Sequence, residues 1–489
     1  MGWFSAPGYW LSRLVFERAL AVLYFMAFLS ARNQFRVLIG ERGLLPVARL
    51  VAAVPFRRSP SIFHWRYSDR DFAAVAWIGM VASAAILFGL VDRAPLWGAM
   101  LVWALMWVLY LSIVNVGQLW YSFGWESLLL ETGFLAVFLG PSRSAPPTVV
   151  LWLLRWLLFR LEFGAGLIKI RGDPCWRDLS CLYYHHETQP LPNPLSWYFH
   201  HLPKPLHKLE AVANHLAQLL VPFTLFTPQP VAGVGAAVII VTQSWLMLSG
   251  NFSWLNAITI TLAISALGDS ALRHLPHPAP PHHLAGPGIG YEVAVLCLLA
   301  LVAVLSWWPA RNLVSRRQIM NFSFNRWHLV NTYGAFGSIT RARHEIVLEG
   351  TGDEELTDAT VWREYEFKGK PGDPMRRPPQ VAPYHLRLDW LMWFAALSPS
   401  YAESWFIAFV GKLLDNDRAT LKLLRHNPFP HLPPTFVRAR LYRYQFTDPR
   451  EHRRTGAWWT RSLIGDFLPP VTSRSRAAPA GGRGSVLAG

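Results

Sequence analysis

Six ionisable side chains lie within or beside apolar segments in the middle of the chain. They are Glu126, Glu131, Arg155, Arg160, Glu162 and Lys169. A charged group is costly in an apolar setting, so such residues usually face the interior of a helix bundle and pair with one another. Two interpretations follow: a buried ion-pair network that fixes how the helices pack, or a polar cavity that binds a ligand or moves a proton.

The spacing of these charges suggests partners for them. Arg155, Glu162 and Lys169 recur every seven residues, which places them along one face of a helix. The preceding apolar segment carries Glu126 and Glu131, which are natural partners for Arg155 and Arg160. Lys169 stands where the span meets a loop. It is either a desolvated lysine able to act as a base or a lysine whose side chain extends to the membrane surface.

The segment that follows, residues 170–209, is dense in aromatic residues, proline and histidine, and it is predicted to be an ordered element. Cys175 and Cys181 can form a disulfide if this segment lies on an oxidising side of a membrane; otherwise they are two reduced, buried thiols. Five histidines share the segment: His185, His186, His200, His201 and His207. Their spacing matches no metal-ligand motif, so packing and head-group contacts are predicted here and no metal site.

The elements that must position these residues are apolar helices. The chain has 489 residues, of which 52% are hydrophobic and 16% charged, whereas soluble domains carry roughly 25% charged residues. Segments 72–91, 96–114 and 148–168 are each long and apolar enough to span a membrane. With shorter candidates included, we expect about six to eight membrane-embedded helices. The composition excludes an ordinary soluble enzyme and a disordered chain.

The net charge of +16 is unevenly distributed along the chain. Residues 71–310 hold 10 basic and 11 acidic side chains, whereas the regions on either side are basic. Basic residues that flank apolar spans favour contact with anionic lipid head groups over nucleic acid. Membrane lipids are therefore predicted partners, and nucleic acid is not.

The sequence predicts a polytopic α-helical membrane domain at 1–310 and a soluble, strand-rich α+β domain at 311–470. A low-complexity tail, 471–489, is predicted to be disordered. Strand-like segments rich in β-branched and aromatic residues occur at 344–350, 362–368 and 440–447. Amphipathic helices are predicted within 385–425. No G-x-S-x-G nucleophile motif is visible, so no catalytic residue and no cofactor are predicted.

Several long blocks, taken in order along the chain, resemble the lipase maturation factor family. They are GWES and ETGF within 124–134, RLEFGAGLIK at 160–169, GDPCWRDLSCLYYHHETQPLPNPLSWYFHHLP from Gly172, LVNTYGAFGSITRARHEIVLEGT from Leu329, WREYEFKGKPGDPMRRPPQVAPYHLRLDWLMWF from Trp362 and NPFPHLPPTFVRARLYRYQFT from Asn427. The resemblance implies a non-catalytic, multi-pass protein of the endoplasmic reticulum membrane that helps secreted homodimeric lipases fold and assemble. A bacterial member would lie in the inner membrane instead.

The resemblance also implies that segment 170–209 and the C-terminal domain are lumenal, which agrees with a disulfide between Cys175 and Cys181. A shorter block, GAGLIKIRGDPCW from Gly164, is similar to the membrane domain of vitamin K-dependent gamma-carboxylase. That similarity maps the carboxylase base onto Lys169. The alternative function is therefore a membrane-embedded enzyme, and a transporter is a third possibility that the intramembrane charges permit.

Overall fold

The computed structural model describes residues 3–277, 279, 281 and 284–473 of the chain. Of the predicted disordered tail, residues 474–489 lie outside the described residues, and residues 471 and 472 belong to the last strand. The boundary at residue 310 between the two regions stays a prediction.

The N-terminal region is helical. Its helices are α1 Trp10–Leu38, α2 Val47–Ala53, α3 Asp69–Leu87, α4 Leu96–Val116, α5 Gly124–Ala136, α6 Thr148–Arg171, α7 Leu182–Thr188, α8 Ser196–His200, α9 Lys204–Leu219, α10 Val221–Thr224, α11 Val231–Ser249, α12 Leu255–Ile264, α13 Asp269–Leu272, α14 Ile289–Leu305 and α15 Trp307–Val314. Short 3-10 turns join several of them.

Five helical segments among the described residues are long and apolar enough to cross a membrane. They are Pro7–Leu38, Asp69–Leu87, Leu96–Val116, Val231–Ser249 and Ile289–Val314. The predicted polytopic helical domain is thereby confirmed. The number is below six to eight because α12 has only 10 residues and α6 carries the charges from Arg155 to Lys169.

Helix α5 lies in the interior of the helical region. Nearly all of its 13 residues are buried, including Glu126 and Glu131. A helix that is apolar around its circumference is expected to be surrounded by protein or lipid. Here α1, α4, α6 and α12 pack around it, so its two carboxylates face protein partners.

The C-terminal region contains both strands and helices. They are β1 Phe322–Ser323, β2 Asn331–Thr332, β3 Arg343–Thr351, β4 Arg363–Glu364, β5 Glu366–Phe367, α16 Arg387–Leu397, α17 Phe406–Leu414, α18 Arg418–Leu421, β6 Leu424–His426, β7 Phe436–Phe446, α19 Pro449–Thr455 and β8 Trp459–Thr472. The predicted strand-rich domain and the helices within 385–425 are present.

The main sheet has four antiparallel strands in the order β4-β3-β7-β8. β3 is buried along almost its whole length, because both faces of the sheet are covered there. Ile346 and Leu348 point into the main core, while Val347 points the other way and packs with Trp197 from the segment after α7. The sheet therefore holds segment 170–209 on one face and the body of the protein on the other.

The strands β1 and β2 form a separate antiparallel pair next to the membrane helices. Gly164 of α6 makes this approach possible, because a Cβ atom at this position would lie 2.5 Å from the carbonyl oxygen of Tyr333. No real Cβ tolerates so short a contact with backbone, so the glycine is required by the close packing of α6 against the segment after β2.

Candidate functional site

A cavity of about 830 Å³ lies where the helical region meets the C-terminal region. Its walls come from α6, α9, α11 and α12 on one side, and from residues 333–340 and α16 on the other. Ligand sites are commonly large, mostly apolar clefts of this size with a few fixed polar groups. This cavity is therefore the candidate functional site.

Lys169 provides the positive charge of the cavity. Its side chain is only 4% exposed. The Nζ atom donates hydrogen bonds to Asn214 Oδ1 at 2.7 Å and to Gln218 Oε1 at 2.9 Å, and it lies 4.9 Å from the centre of the Trp176 ring. Both acceptors are oxygens of neutral side-chain amides, and no carboxylate of the described residues lies within ion-pair distance of Nζ. Burial lowers the pKa of Lys169 to about 8.

Glu162 is the acidic side chain of the cavity wall and also forms a hydrogen bond with an amide. Gln243 Nε2 donates to Glu162 Oε1 at 2.6 Å, and Asn256 Nδ2 donates to Gln243 Oε1 at 2.7 Å. These amides come from α11 and α12, so three helices share one hydrogen-bonded chain. Burial raises the pKa of the Glu162 carboxyl to about 7, so the cavity contains one basic and one acidic side chain, each hydrogen-bonded to side chains from other helices.

The remaining walls are mainly apolar and aromatic. α16 contributes Trp390, Trp393 and Phe394, and Phe336 comes from the segment after β2. His185 also lines the cavity, and burial, reinforced by neighbouring His186 and Lys169, lowers the pKa of its imidazole to about 3. The His185 ring is therefore neutral at physiological pH and adds to the apolar surface.

Glu126 joins the two regions of the chain. Arg387 of α16 donates through Nη1 to Glu126 Oε1 at 2.6 Å, Tyr110 donates to Oε2, and His385 Nδ1 lies 3.7 Å from Oε1. We expected Arg155 or Arg160 to pair with this carboxylate. The structure places Arg387 there instead, because α16 of the C-terminal region inserts beside α5.

Glu131 lies next to Arg160. Arg160 Nη2 donates to Glu131 Oε1, and Arg160 Nη1 donates to the carbonyl of Asn331 at 2.7 Å. The other carboxylate oxygen accepts from the Asn331 side chain at 2.9 Å and from the Tyr333 hydroxyl at 2.7 Å. This cluster also binds a C-terminal segment, β2, to the helices.

Arg155 stands apart from the carboxylates. Its Nη1 donates to the carbonyl of Leu225 at 3.3 Å, and its guanidinium lies 5.2 Å from the ring centres of Tyr9 and Trp152. It lines a smaller cavity of about 220 Å³. The predicted cluster is therefore four separate groups: Arg155, Glu126, Glu131 with Arg160, and Glu162 with Lys169 around the large cavity.

Segment 170–209 is ordered and is attached to the C-terminal sheet. Cys175 and Cys181 are joined by a disulfide, with Cα atoms 4.8 Å apart. Arg343 of β3 donates to the carbonyls of Gln189 at 2.5 Å and Pro190 at 3.1 Å. Arg343 also pairs with Glu345 at 2.6 Å, so its charge is balanced where it is buried.

Several residues of the site escaped the reasoning from sequence. Arg387 and Arg343 belong to a region whose many arginines resemble a solvated basic surface, and nothing in their local sequence marks them as buried. The amides Asn214, Gln218, Gln243 and Asn256 did offer a signal, because each is a polar residue within an apolar or amphipathic stretch. Polar residues in such stretches face protein partners more often than lipid.

Comparison with known proteins places both regions of the chain in one family. A family model described as lipase maturation factor transmembrane domain matches residues 11–274. A second, described as lipase maturation factor C-terminal domain, matches residues 329–469. No solved structure matches the chain.

Individual relatives are similar over almost their whole length. Lipase maturation factor 1 from Bos taurus is 43% identical, with 96% of this chain and 90% of the relative covered. The Homo sapiens protein of the same name is 43% identical over 95% of this chain and 88% of the relative. Lipase maturation factor 2 from Homo sapiens is 29% identical, covering 94% of this chain and 83% of the relative.

Proposed function

The chain belongs to the lipase maturation factor family, and on this premise we propose that it assists the folding or assembly of secreted lipases. The observation that carries the proposal is the extent of the similarity, which reaches 96% of this chain and 90% of one relative. Both the membrane helices and the C-terminal region are therefore shared with proteins named for lipase maturation. Homodimeric secreted lipases are the clients that the family implies.

The protein is a multi-pass membrane protein, and the family implies the membrane of the endoplasmic reticulum. The five spanning helices found in the described part of the chain present apolar side chains outward, for example Val81, Val241 and Val304, which are about two-thirds exposed or more. Such side chains would be unfavourable in water and are suited to lipid tails. Membrane lipids are thus proposed partners along these faces.

We propose that maturation does not depend on catalysis by Lys169. A lysine that acts as a base must release a proton and offer its lone pair to a substrate. The Lys169 Nζ atom instead donates hydrogen bonds to the amide oxygens of Asn214 and Gln218. Burial lowers the pKa of Lys169 only to about 8, so the amine stays mainly protonated at neutral pH. This arrangement supports a structural role for Lys169 over the carboxylase-like alternative.

The clusters around Glu126 and Glu131 support a structural role for the other buried charges. Each carboxylate lies on α5 and binds a residue of the C-terminal region, Arg387 or Asn331. Breaking a buried ion pair leaves an uncompensated charge, which is strongly unfavourable. We propose that these pairs hold the C-terminal region, as a potential client-binding surface, in a fixed position on the membrane helices.

The proposal is tested by capturing clients in the cell. The full-length protein and a homodimeric secreted lipase are produced together, crosslinked in membranes, and the membrane protein is recovered. We expect the lipase to be recovered in its not yet active form, and a secreted monomeric non-lipase protein, used as the control, to be absent. Equal recovery of both secreted proteins would contradict the proposal.

A further inference from the structure

Three metal-binding side chains converge at the edge of the cavity, where α7 meets α9. His186 comes from α7, whereas His207 and Glu210 are one turn apart on α9 and therefore share a face. His186 Nε2 and His207 Nδ1 each lie 3.9 Å from Glu210 Oε2. The three ligand atoms all lie within 4.8 Å of one another.

These converging atoms have no hydrogen-bond partner among the described residues. The atoms without such a partner are both ring nitrogens of His186, Nδ1 of His207 and Oε2 of Glu210. The two histidines are only 1% and 2% exposed, and 3.9 Å is too long for a hydrogen bond. Because leaving a buried polar atom without a hydrogen-bond partner is unfavourable, a partner common to all three side chains would stabilise the fold.

The outward-facing atoms of two of these residues are, by contrast, engaged. His207 Nε2 lies 3.3 Å from the carbonyl oxygen of His200, and Glu210 Oε1 accepts a 2.8 Å hydrogen bond from Trp245 Nε1. Metal-binding histidines and carboxylates are characteristically oriented by hydrogen bonds of this kind at their second atom. The contacts direct His207 Nδ1 and Glu210 Oε2 towards the same point.

We propose that His186, His207 and Glu210 bind one divalent transition-metal ion of the zinc class. Two imidazole nitrogens and one carboxylate oxygen form a donor set that zinc prefers. Zinc bonds of about 2.0–2.2 Å in a tetrahedron separate ligand atoms by about 3.4 Å, so small side-chain rotations close the set around an ion. The sequence predicted no metal site because the ligands come from two helices and form no recognisable motif.

The remaining coordination position opens into the cavity. His186 and Glu210 both line the cavity wall, so an ion between them is reachable from inside it. Three protein ligands with one open position are typical of zinc sites that bind water or another small ligand. The ion also joins α7 to α9, which secures segment 170–209 at the cavity edge.

Metal binding by the purified full-length protein tests this inference directly. The protein is prepared in detergent without a polyhistidine tag, treated with a chelator, and titrated with Zn²⁺ alone by calorimetry. We expect a single equivalent to bind. Glu210→Gln and His186→Gln are expected to weaken binding at least about tenfold, whereas His215→Gln, a matched change on the same helix outside the set, leaves it unaltered.

Titration with Co²⁺ adds a visible spectrum that reports direct coordination of the metal. If the three side chains only supported the fold, their substitution would not change that spectrum. We expect the intense visible bands of four- or five-coordinate cobalt in the wild type. Trp245→Phe removes the hydrogen bond to Glu210, so it is expected to keep the single equivalent with weaker affinity. His186→Cys, which replaces one ligand by another, is expected to retain binding and add a thiolate-to-cobalt band.

The folded state of each variant is checked by gel filtration before titration. If Glu210→Gln does not fold, the thiolate band of His186→Cys decides the question, because only direct coordination produces it. The inference is overturned if the folded wild type binds no Zn²⁺, or if a folded Glu210→Gln variant binds it as tightly. Six-coordinate cobalt spectra in wild type would contradict it equally.

Discussion

Glu126 is one of the side chains through which helix α5 binds the C-terminal region. It accepts hydrogen bonds from Arg387 and Tyr110 and is fully buried. From sequence, its burial was predictable, because a glutamate in an apolar segment must find a partner. The identity of the partner was not, since Arg387 is 261 residues away and no local pattern connects the two positions.

We expect Glu126→Gln to destabilise the protein by about 3–5 kcal/mol, because the buried Arg387 guanidinium loses its counter-charge. The midpoint of thermal unfolding in detergent measures this effect. Glu354→Gln is the matched control, since Glu354 is exposed and the same change there should leave the midpoint unaltered. Equal midpoints for wild type and Glu126→Gln would show that the ion pair contributes nothing.

Lys169→Met separates the structural from the catalytic interpretation of the cavity. The variant loses the hydrogen bonds to Asn214 and Gln218 and is expected to be less stable. Secreted lipase activity per folded molecule of the variant is nevertheless expected to equal that of wild type. If Lys169 were a general base, its removal would lower activity by about 100-fold or more. A loss of that size in a folded variant would favour the interpretation as a membrane-embedded enzyme.

At the scale of elements, the close packing of the segment after β2 against α6 requires a residue without a side chain at position 164, which is Gly164. Gly164→Ala places a methyl group against the Tyr333 carbonyl, and overpacking of this kind costs about 1–3 kcal/mol. A lowered unfolding midpoint is the expected result. Gly290→Ala in α14 is the matched control, because nothing lies within 4 Å of a Cβ atom there.

The disulfide in segment 170–209 gives a second element-scale prediction. In fully denatured protein without reductant, we expect a thiol alkylating reagent to modify Cys297 alone, and after reduction all three cysteines of the chain. Mass spectrometry of the intact protein counts the added groups. Three modifications before reduction would show that Cys175 and Cys181 are free thiols and that the segment is not in an oxidising compartment.

The elements themselves were partly predictable. The long apolar runs identified α3, α4 and α6, and segments rich in β-branched and aromatic residues identified β3 and β7. The strand β8 was not foreseen, because residues 459–472 include two adjacent prolines and a glycine that argue against a strand. It forms the edge of the sheet, where such residues are tolerated.

For the whole molecule, the sequence supported a membrane domain followed by a strand-rich domain, and this architecture is observed. Their intimate connection was not predictable, since it depends on α16 and β2 binding charges on α5 and α6. The large cavity likewise arises only when both regions are assembled, because its walls come from both. Local sequence patterns report periodicity and burial, whereas such a cavity depends on contacts between distant segments.

The central claim is that the protein makes secreted lipases active. Its most direct test uses cells that lack their own lipase maturation factors and secrete a homodimeric lipase. Lipase activity per amount of secreted lipase is measured with and without this protein, with a secreted monomeric non-lipase enzyme as the control. The account predicts that lipase activity per molecule rises while the control enzyme is unchanged. Equal lipase activity in both conditions, with the protein present and folded in the membrane, would contradict it.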